Sequence, residues 1–462
     1  MVTTRRRIPA LFLPVALLLA LIALAGCGAR DVTGLDVARA RIEPLVFDED
    51  YGDDVYFQAF SGTYLNAVSM DSLYAHDGAK SMKVVVPGQN SVLGAYAGGV
   101  LTTVNVRDFA DFNALTFYAR SSVVSTLNEA GFGNDNTGTS VYSAGRANIP
   151  LNPSWTFVVV PIPSPRKVVA ERGMFTFAEG YEVLNPSGHT LWFDEIKYAN
   201  LLNVERIRAN MASVNKQYLI GSTATIEGTT TTFNIDGATV VVNHMPGYFD
   251  FFSSNPEVAT VDGNRIRVIG AGVDTITAKL DTLDVLGRVI ITSFAAPTAA
   301  APAPTVPAGD VISLYSDTYG NWPVASWNPH WGGSTTQNDT YLIGGNANIM
   351  YTALNFVGID FATQKIDVTA MTHLHLDVYA PVGTIFRVTL VDMGATGTAA
   401  LQQPELTFSS ASTPAFASGG WSSLEIPMAD FGFTVPVDHI GQLVLSSSDA
   451  PLVLVDNIYW HR

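Results

Sequence analysis

LWFDEIKYA (residues 191–199) and LVLVDNIYW (residues 452–460) are two versions of one pattern. Each sets β-branched and aromatic residues around an acidic one, the composition of a strand with at least one buried face. Three further blocks recur in the same order. VFDEDYGDD (46–54) matches LYSDTYGNW (314–322), VNVRDFADFNALTFYA (104–119) matches IDVTAMTHLHLDVYA (366–380), and NPSWTFVVVPIP (152–163) matches SGGWSSLEIPMA (418–429). Four blocks in register, offset by 261 to 268 residues, are too many for chance similarity among strands. They predict two homologous β-sandwiches.

The rest of the chain reads the same way. SMKVVVP (81–87), TVVVNH (239–244) and DTITAKL (274–280) are short, β-branched and bounded by turn residues, and no segment after residue 30 keeps a helical period beyond about three turns. The chain is therefore expected to be all-β. LDVARARIE (35–43) reads either as a short helix or as an extended tether. The tract AAPTAAAPAPTVPAG (295–309) cannot bury a core and favours an extended, semi-rigid path. The expected division is a signal peptide (1–26), a tether (27–44), a sandwich (45–202), a middle domain (203–294), a Pro/Ala linker (295–309) and a second sandwich (310–462).

Two stretches resemble known families. FSSNPEVATVDGNRIRVIGAGVDTITAKL (252–280) resembles bacterial immunoglobulin-like domains of group 2, with an Asn-Pro corner and strands alternating Val258, Thr260, Arg265 and Arg267 against Ala259, Val261, Ile266 and Val268. That resemblance implies a spacer or adhesion module. DVISLYSDTYGNW, WNPHWGG, LNFVGIDF (354–361), MTHLHLDVYAP (371–381) and VDNIYWH (455–461) together resemble the jelly-roll modules appended to bacterial β-glucanases. Carbohydrate binding is what this second resemblance implies for residues 310–462. The N-terminal unit is similar to the broader class of carbohydrate-binding sandwiches. The fold expected is thus tandem β-sandwiches: two jelly-roll, galactose-binding-like modules flanking an Ig-like domain.

The N-terminus supplies an address. Arg5, Arg6 and Arg7 precede an apolar run from Ile8 to Ala23, the pattern of a secretory signal. Leu24-Ala25-Gly26-Cys27 resembles the bacterial lipobox, which implies lipidation of Cys27, the sole cysteine. Gly28 after it favours the outer membrane, so a cell-surface lipoprotein touching the membrane only through its anchor is expected. No disulfide can form. Loss of the three signal arginines takes the formal charge from −16 to −19, which argues against nucleic acid as a partner.

No catalytic pattern stands out. Acids at alternate strand positions, as a glycosidase pair would need, are missing outside FDEDYGDD, and G-x-S-x-G, H-E-x-x-H and P-loop motifs are absent. The expectation is a binding protein and not an enzyme. Its resemblance to calcium-tied sandwiches implies a structural calcium ion at Glu49 with Asp194, and at Asp317 with Asp456. The alternative is that these acids satisfy main-chain amides. His373, His375 and Asp377 share one strand face, either as a polar stripe or as zinc ligands.

Among seven tryptophans, Trp155 and Trp421 hold equivalent repeat positions and are expected in the core, with Trp192 and Trp460 as packing residues. Trp322, Trp327 and Trp331, in NWPVASWNPHWGG (321–333), have no counterparts in the first repeat. Pro323 and Pro329 bar a central strand there. The loop reads as a sugar platform, with Asn328 and His330 as hydroxyl partners, or as a plug closing the sandwich. The function expected is capture of polysaccharide, a β-glucan such as laminarin, in concert with a glycan-uptake system. The alternatives are a structural or adhesive lipoprotein, or an unrecognised polysaccharide-active enzyme.

Overall fold

The computed structural model describes residues 40–397 and 400–462. The signal peptide, Cys27 with its lipidation, and the tether up to residue 39 lie outside the described residues. The chain is all-β, with short 3₁₀ turns and no α-helix among the described residues. Residues 40–43, the described end of LDVARARIE, form no helix, and Arg41 bridges to Arg107.

The N-terminal sandwich has one sheet in the order Val68–Asp71, Ser81–Pro87, Gly188–Ala199, Ala114–Ser121, Thr156–Pro161, with Leu45–Phe47 also paired to Gly188–Ala199. Facing it are Val55–Ala59, Ala97–Arg107, Glu171–Glu179, Ser125–Phe132 and Ala144–Leu151. Phe117, Phe175 and Phe193 fill the space between, with ring centroids 5.1 to 5.9 Å apart. The C-terminal sandwich repeats this order. Gln337–Ile343, Asn346–Thr352, Leu452–His461, His373–Tyr379 and Trp421–Pro427 form one sheet, with Val311–Tyr315 on Leu452–His461. Phe356–Asp360, Ile440–Ser446, Phe386–Asp392 and Glu405–Phe408 form the other.

Pairing fixes which residues of the two repeats correspond. Ala114 pairs with Ala199 and Pro161, and His373 pairs with His461 and Pro427. Arg120 lies opposite Trp192, and Tyr379 opposite Leu454. This sets Ala114–Arg120 against His373–Tyr379, two residues out of step with the sequence match of Tyr118 to Tyr379. A slip of two leaves every side chain on its own face. Both closing strands also bulge at one place. Glu195 and Asn457 adopt left-handed backbone (φ 46° and 50°), and each donates its N–H to the aspartate before it, Asp194 or Asp456, at 2.8 and 2.7 Å.

The middle strands are not a separate bead. Ala144 and Gly145 pair with His244 and Asn243, so the facing sheet of the N-terminal sandwich runs on through Ala238–His244, Thr230–Ile235 and Val204–Asn210. One hydrophobic cluster spans both regions. Ala259, Ile266 and Val268 are buried while Thr260, Arg265 and Arg267 are exposed, as alternation requires. Val258, expected on the outward side, is buried because it belongs to the Asn255–Pro256 turn and not to the strand. Ser253, Ser254 and Asn255 all donate to buried Asp274, which explains the Ser-Ser-Asn spacing.

The Pro/Ala tract lies along the outer face of the C-terminal sandwich. Lacking strand partners, its carbonyls accept from that sandwich's side chains: Tyr379 Oη to Ala295 (2.9 Å), Trp421 Nε1 to Ala299 (2.9 Å), Asn457 Nδ2 to Pro302 (3.1 Å) and Tyr319 Oη to Val306 (2.7 Å). Leu219 and Phe294 pack against Met350, Leu452 and Leu454 on the same face.

Candidate functional site

The tryptophans shared by the repeats are not core residues. In Thr156–Pro161, Val158 and Val160 point inward, so Trp155 and Phe157 point outward. In Trp421–Pro427, Leu424 and Ile426 point inward, so Trp421 faces out with Glu425. Trp192 and Trp460 are both buried, as expected of packing residues: Trp460 fully in the core, and Trp192 on the outer face, 6% exposed and packed against Tyr74.

In the N-terminal sandwich these outward residues build an aromatic surface. The Arg120 guanidinium stands 4.4 Å from the Tyr74 ring, 5.1 Å from Trp192 and 5.8 Å from Trp155. Tyr74 meets Trp192 edge-on at 4.9 Å. His76 stacks on Tyr118 at 3.5 Å and approaches Trp155 at 5.8 Å, and Tyr118 leads on to Phe157 at 5.1 Å. Tyr74 and Phe157 are 42% and 49% exposed, so rings on both sides of Arg120 reach solvent. Arg120 Nε is buried without a hydrogen-bond partner, and no carboxylate among the described residues pairs with the guanidinium. The nearby cation Lys83 lies 3.5 Å from Asp71, which also accepts Trp192 Nε1 at 2.9 Å.

Tyr74 and His76 belong to the loop between Val68–Asp71 and Ser81–Pro87, and acids hold that loop in place. Ala79 N–H donates to Glu49 Oε1 (2.7 Å), His76 N–H to Asp194 Oδ2 (2.7 Å), and His76 Nδ1 contacts Glu195 Oε1 (2.7 Å). With Glu195 N–H on Oδ1, both oxygens of Asp194 accept main-chain amides. Glu49 and Asp194 thus take the amide-satisfying role, and a calcium ion there would compete with those bonds.

Asp456 differs. Its side chain is 1% exposed, and Oδ2 is buried with no hydrogen-bond partner. Burial, then repulsion by Asp317 and Asp377, pushes its carboxyl up to about 6. The folded chain therefore holds a proton there that the unfolded chain gives up near pH 4. The stabilisation is present below about pH 4 and is lost as pH rises through about 6. In chelator, Asp456→Asn is expected to raise stability by about 1–2 kcal/mol at pH 7.5 and to change it little at pH 4.5. Thermal melts at the two pH values check this, and a loss of stability at pH 7.5 would contradict it. Asp317, exposed, accepts Asn346 Nδ2 at 2.8 Å.

The three tryptophans of residues 321–333 go to three places. No strand forms between Tyr315 and Gln337, as the prolines require. Trp322 is 37% exposed and donates Nε1 to the Gln364 carbonyl at 2.6 Å. Trp327 packs on the core, edge-on to Tyr315 at 5.4 Å. Trp331 lies on Gly358, where a Cβ would come within 2.2 Å of the indole. Asn328 is buried, donating to the Thr336 carbonyl (2.9 Å) and accepting from His330 N–H (3.2 Å), while His330 is exposed. Trp327 and Asn328 thus hold the loop closed, the plug reading, and no ring contact joins the three indoles among the described residues.

No protein-family model matches the sequence, and no curated protein matches it. Solved structures resemble it in part. The family 30 carbohydrate-binding module of the cellulosomal cellulase Cel9D-Cel44B of Clostridium thermocellum is 15% identical with a TM-score of 0.24, over 35% of this chain and 96% of that one. The family 11 module from Clostridium thermocellum, in complex with a beta-1,3-1,4-mixed-linked tetrasaccharide, is 15% identical with a TM-score of 0.24, over 35% and 99%. SGBP-B from a complex xyloglucan utilization locus in Bacteroides uniformis is 10% identical with a TM-score of 0.22, over 86% and 98%. Likenesses of that size carry no functional weight; the side chains of the outer faces do.

Proposed function

We propose that this chain is a lipid-anchored, non-catalytic glycan-binding protein that captures polysaccharide on the outer face of its N-terminal sandwich. The observation that supports it is the outward aromatic set in which exposed Tyr74 and half-buried Trp155 flank Arg120, continued through half-buried Tyr118 to exposed Phe157. Aromatic faces cover the apolar C–H faces of pyranose rings, and Arg120, Lys83 and His76 offer donors to hydroxyls. On the C-terminal sandwich, Trp421 and Tyr379 hold the positions of Trp155 and Arg120 and are bonded to the linker instead. Lipid on Cys27 would hold the array at the outer surface of the outer membrane, where it would hand polysaccharide to a glycan-uptake system. A β-glucan such as laminarin is the ligand proposed. A calcium ion at Asp456 and Asp317 belongs to the same reading, supported by the unpartnered Asp456 Oδ2.

Arg120, a cation without a carboxylate partner among the described residues, favours a second reading in which the polysaccharide is acidic, bearing uronate or sulfate. Affinity electrophoresis of the chain in gels containing laminarin, mixed-linkage glucan, xylan or alginate separates them. Retardation by at least one polysaccharide is expected. Retardation by laminarin that survives high salt supports the neutral glucan, whereas retardation by alginate that collapses in salt supports the acidic one. No retardation by any polysaccharide would leave the structural or adhesive lipoprotein as the better reading.

A further inference from the structure

Three neighbouring strands of the C-terminal sandwich bring a second set of side chains together, at the far end of the outer face. His373 on His373–Tyr379 pairs directly with His461 on Leu452–His461, and His375 pairs with both Tyr459 and Glu425. Because sheet side chains alternate, His373, His375, Glu425 and His461 all leave the same face. One ring nitrogen from each of His373 and His461 and one oxygen of Glu425 lie within 4.8 Å of one another.

Each of these groups is aimed by another. Glu425 Oε1 touches His461 Nε2, while its Oε2 is held by His375 Nδ1 at 2.8 Å. His375 is fixed in turn, with Nε2 3.4 Å from Asp377 Oδ2 and its ring stacked on Tyr459 at 4.5 Å. Asn457 Nδ2 holds Asp377 Oδ2 at 2.8 Å, and Ser423 bonds its other oxygen. The Thr372 hydroxyl occupies Nδ1 of His373 at 2.9 Å, which leaves Nε2 as the ring's remaining ligand atom. Outer partners of this kind are what orient imidazole and carboxylate ligands at a metal.

The first repeat is an internal control. Its residues at the positions of His373, His375, Glu425 and His461 are Ala114, Thr116, Val159 and Ala199. Only the Thr116 hydroxyl is polar among them, and it is bonded to the Lys197 carbonyl at 3.1 Å, so the four ligand-type side chains together are a property of the C-terminal sandwich.

We propose that His373, His461 and Glu425 form a Zn²⁺ site. Two neutral imidazoles and one carboxylate suit zinc, whereas calcium and magnesium prefer oxygen alone. Three protein ligands leave a fourth position, open to solvent beside exposed Glu425, for water or a donor from outside the chain. The ion would cross-link three strands next to the C-terminus, independently of glycan capture.

The test titrates Zn²⁺, and Co²⁺ as its visible reporter, into the chain carrying Cys27→Ser, which removes the sole thiol. One equivalent is expected to bind, with the visible bands of four-coordinate Co²⁺. At a hundredfold excess over Kd the melting temperature should rise by roughly 5–10 °C. His373→Ala and His461→Ala should each abolish the bands and the shift, and Glu425→Gln should weaken binding at least tenfold. Folding of the alanine variants is checked by metal-free melts, and alanine already stands at both positions in the first repeat. His439→Ala, at a histidine bonded to Asp438 outside the cluster, should change nothing. Absence of stoichiometric binding, or equal binding by the His373→Ala and His461→Ala chains, would overturn the proposal.

Discussion

Trp155→Ala is expected to weaken retention of the captured polysaccharide by roughly thirtyfold or more, the loss of a binding hot spot worth about 2 kcal/mol. Stability should change little. Trp155 precedes its strand, is only partly covered, and lies outside the hydrophobic core. What it supplies is a ring beside His76 and Arg120 on a face that reaches solvent. Trp327→Ala should do the reverse, because that indole packs on the core, edge-on to Tyr315 at 5.4 Å. A loss of about 2–4 kcal/mol in stability, with retention intact, is the expected outcome there. Trp331→Ala should likewise spare retention, since the indole is packed against Gly358. If Trp331→Ala or Trp322→Ala abolishes retention and Trp155→Ala does not, the site belongs to residues 321–333 of the C-terminal sandwich.

The repeat was legible in the sequence because sheet order is carried by strand composition, and strand composition survived in both copies. The face of Trp155 and Trp421 was legible too, in the parity of their strands and not in their recurrence. A tryptophan shared by two repeats suggests a core position, yet the alternation within WSSLEIP already sets Trp421 beside Ser423 and Glu425, away from Leu424 and Ile426. Parity decides burial in a strand, and recurrence does not. The placing of Tyr74 and His76 could not be read, because it depends on Glu49, Asp194 and Glu195, acids distant in sequence that fold the loop down. Nor could the path of residues 295–309. Proline-rich composition says that a segment builds no core of its own, and its unpartnered carbonyls are then free to accept from whichever donors stand nearby. Tyr379, Trp421 and Asn457 are those donors, each outward on a sheet whose counterpart in the first repeat stays open.

Arg107→Met should cost about 3–5 kcal/mol, the range for removing one partner of a buried ionic network. Arg107 ends the strand Ala97–Arg107 with its side chain 1% exposed, and its guanidinium is the node on which residues 43–54 are hung. Nη1 donates to the carbonyls of Glu43 (3.0 Å) and Leu45 (2.8 Å), and Nη2 to Asp54 Oδ1 (3.1 Å) and the Asp53 carbonyl. Methionine fills the volume but leaves those acceptors without a donor, and desolvated acceptors are costly. Lysine keeps the charge without the planar fork, so Arg107→Lys should recover only part of the loss. Because one core joins the N-terminal sandwich to the middle strands, both should melt earlier, by on the order of 10 °C, while the C-terminal sandwich keeps its own transition. A pH signature separates this from a packing defect. Burial raises the Asp54 carboxyl, but hydrogen bonds from Asn105 and Arg107 outweigh it and hold the group below the ordinary carboxylate range. That stabilisation is present above about pH 4 and disappears as pH falls through the lowered value, so the chain should lose stability in acid. In Arg107→Met the acid limb should flatten. A loss below about 1 kcal/mol, or an unchanged acid limb, would mean that the segment entering the fold is held by its strand pairing and not by this guanidinium.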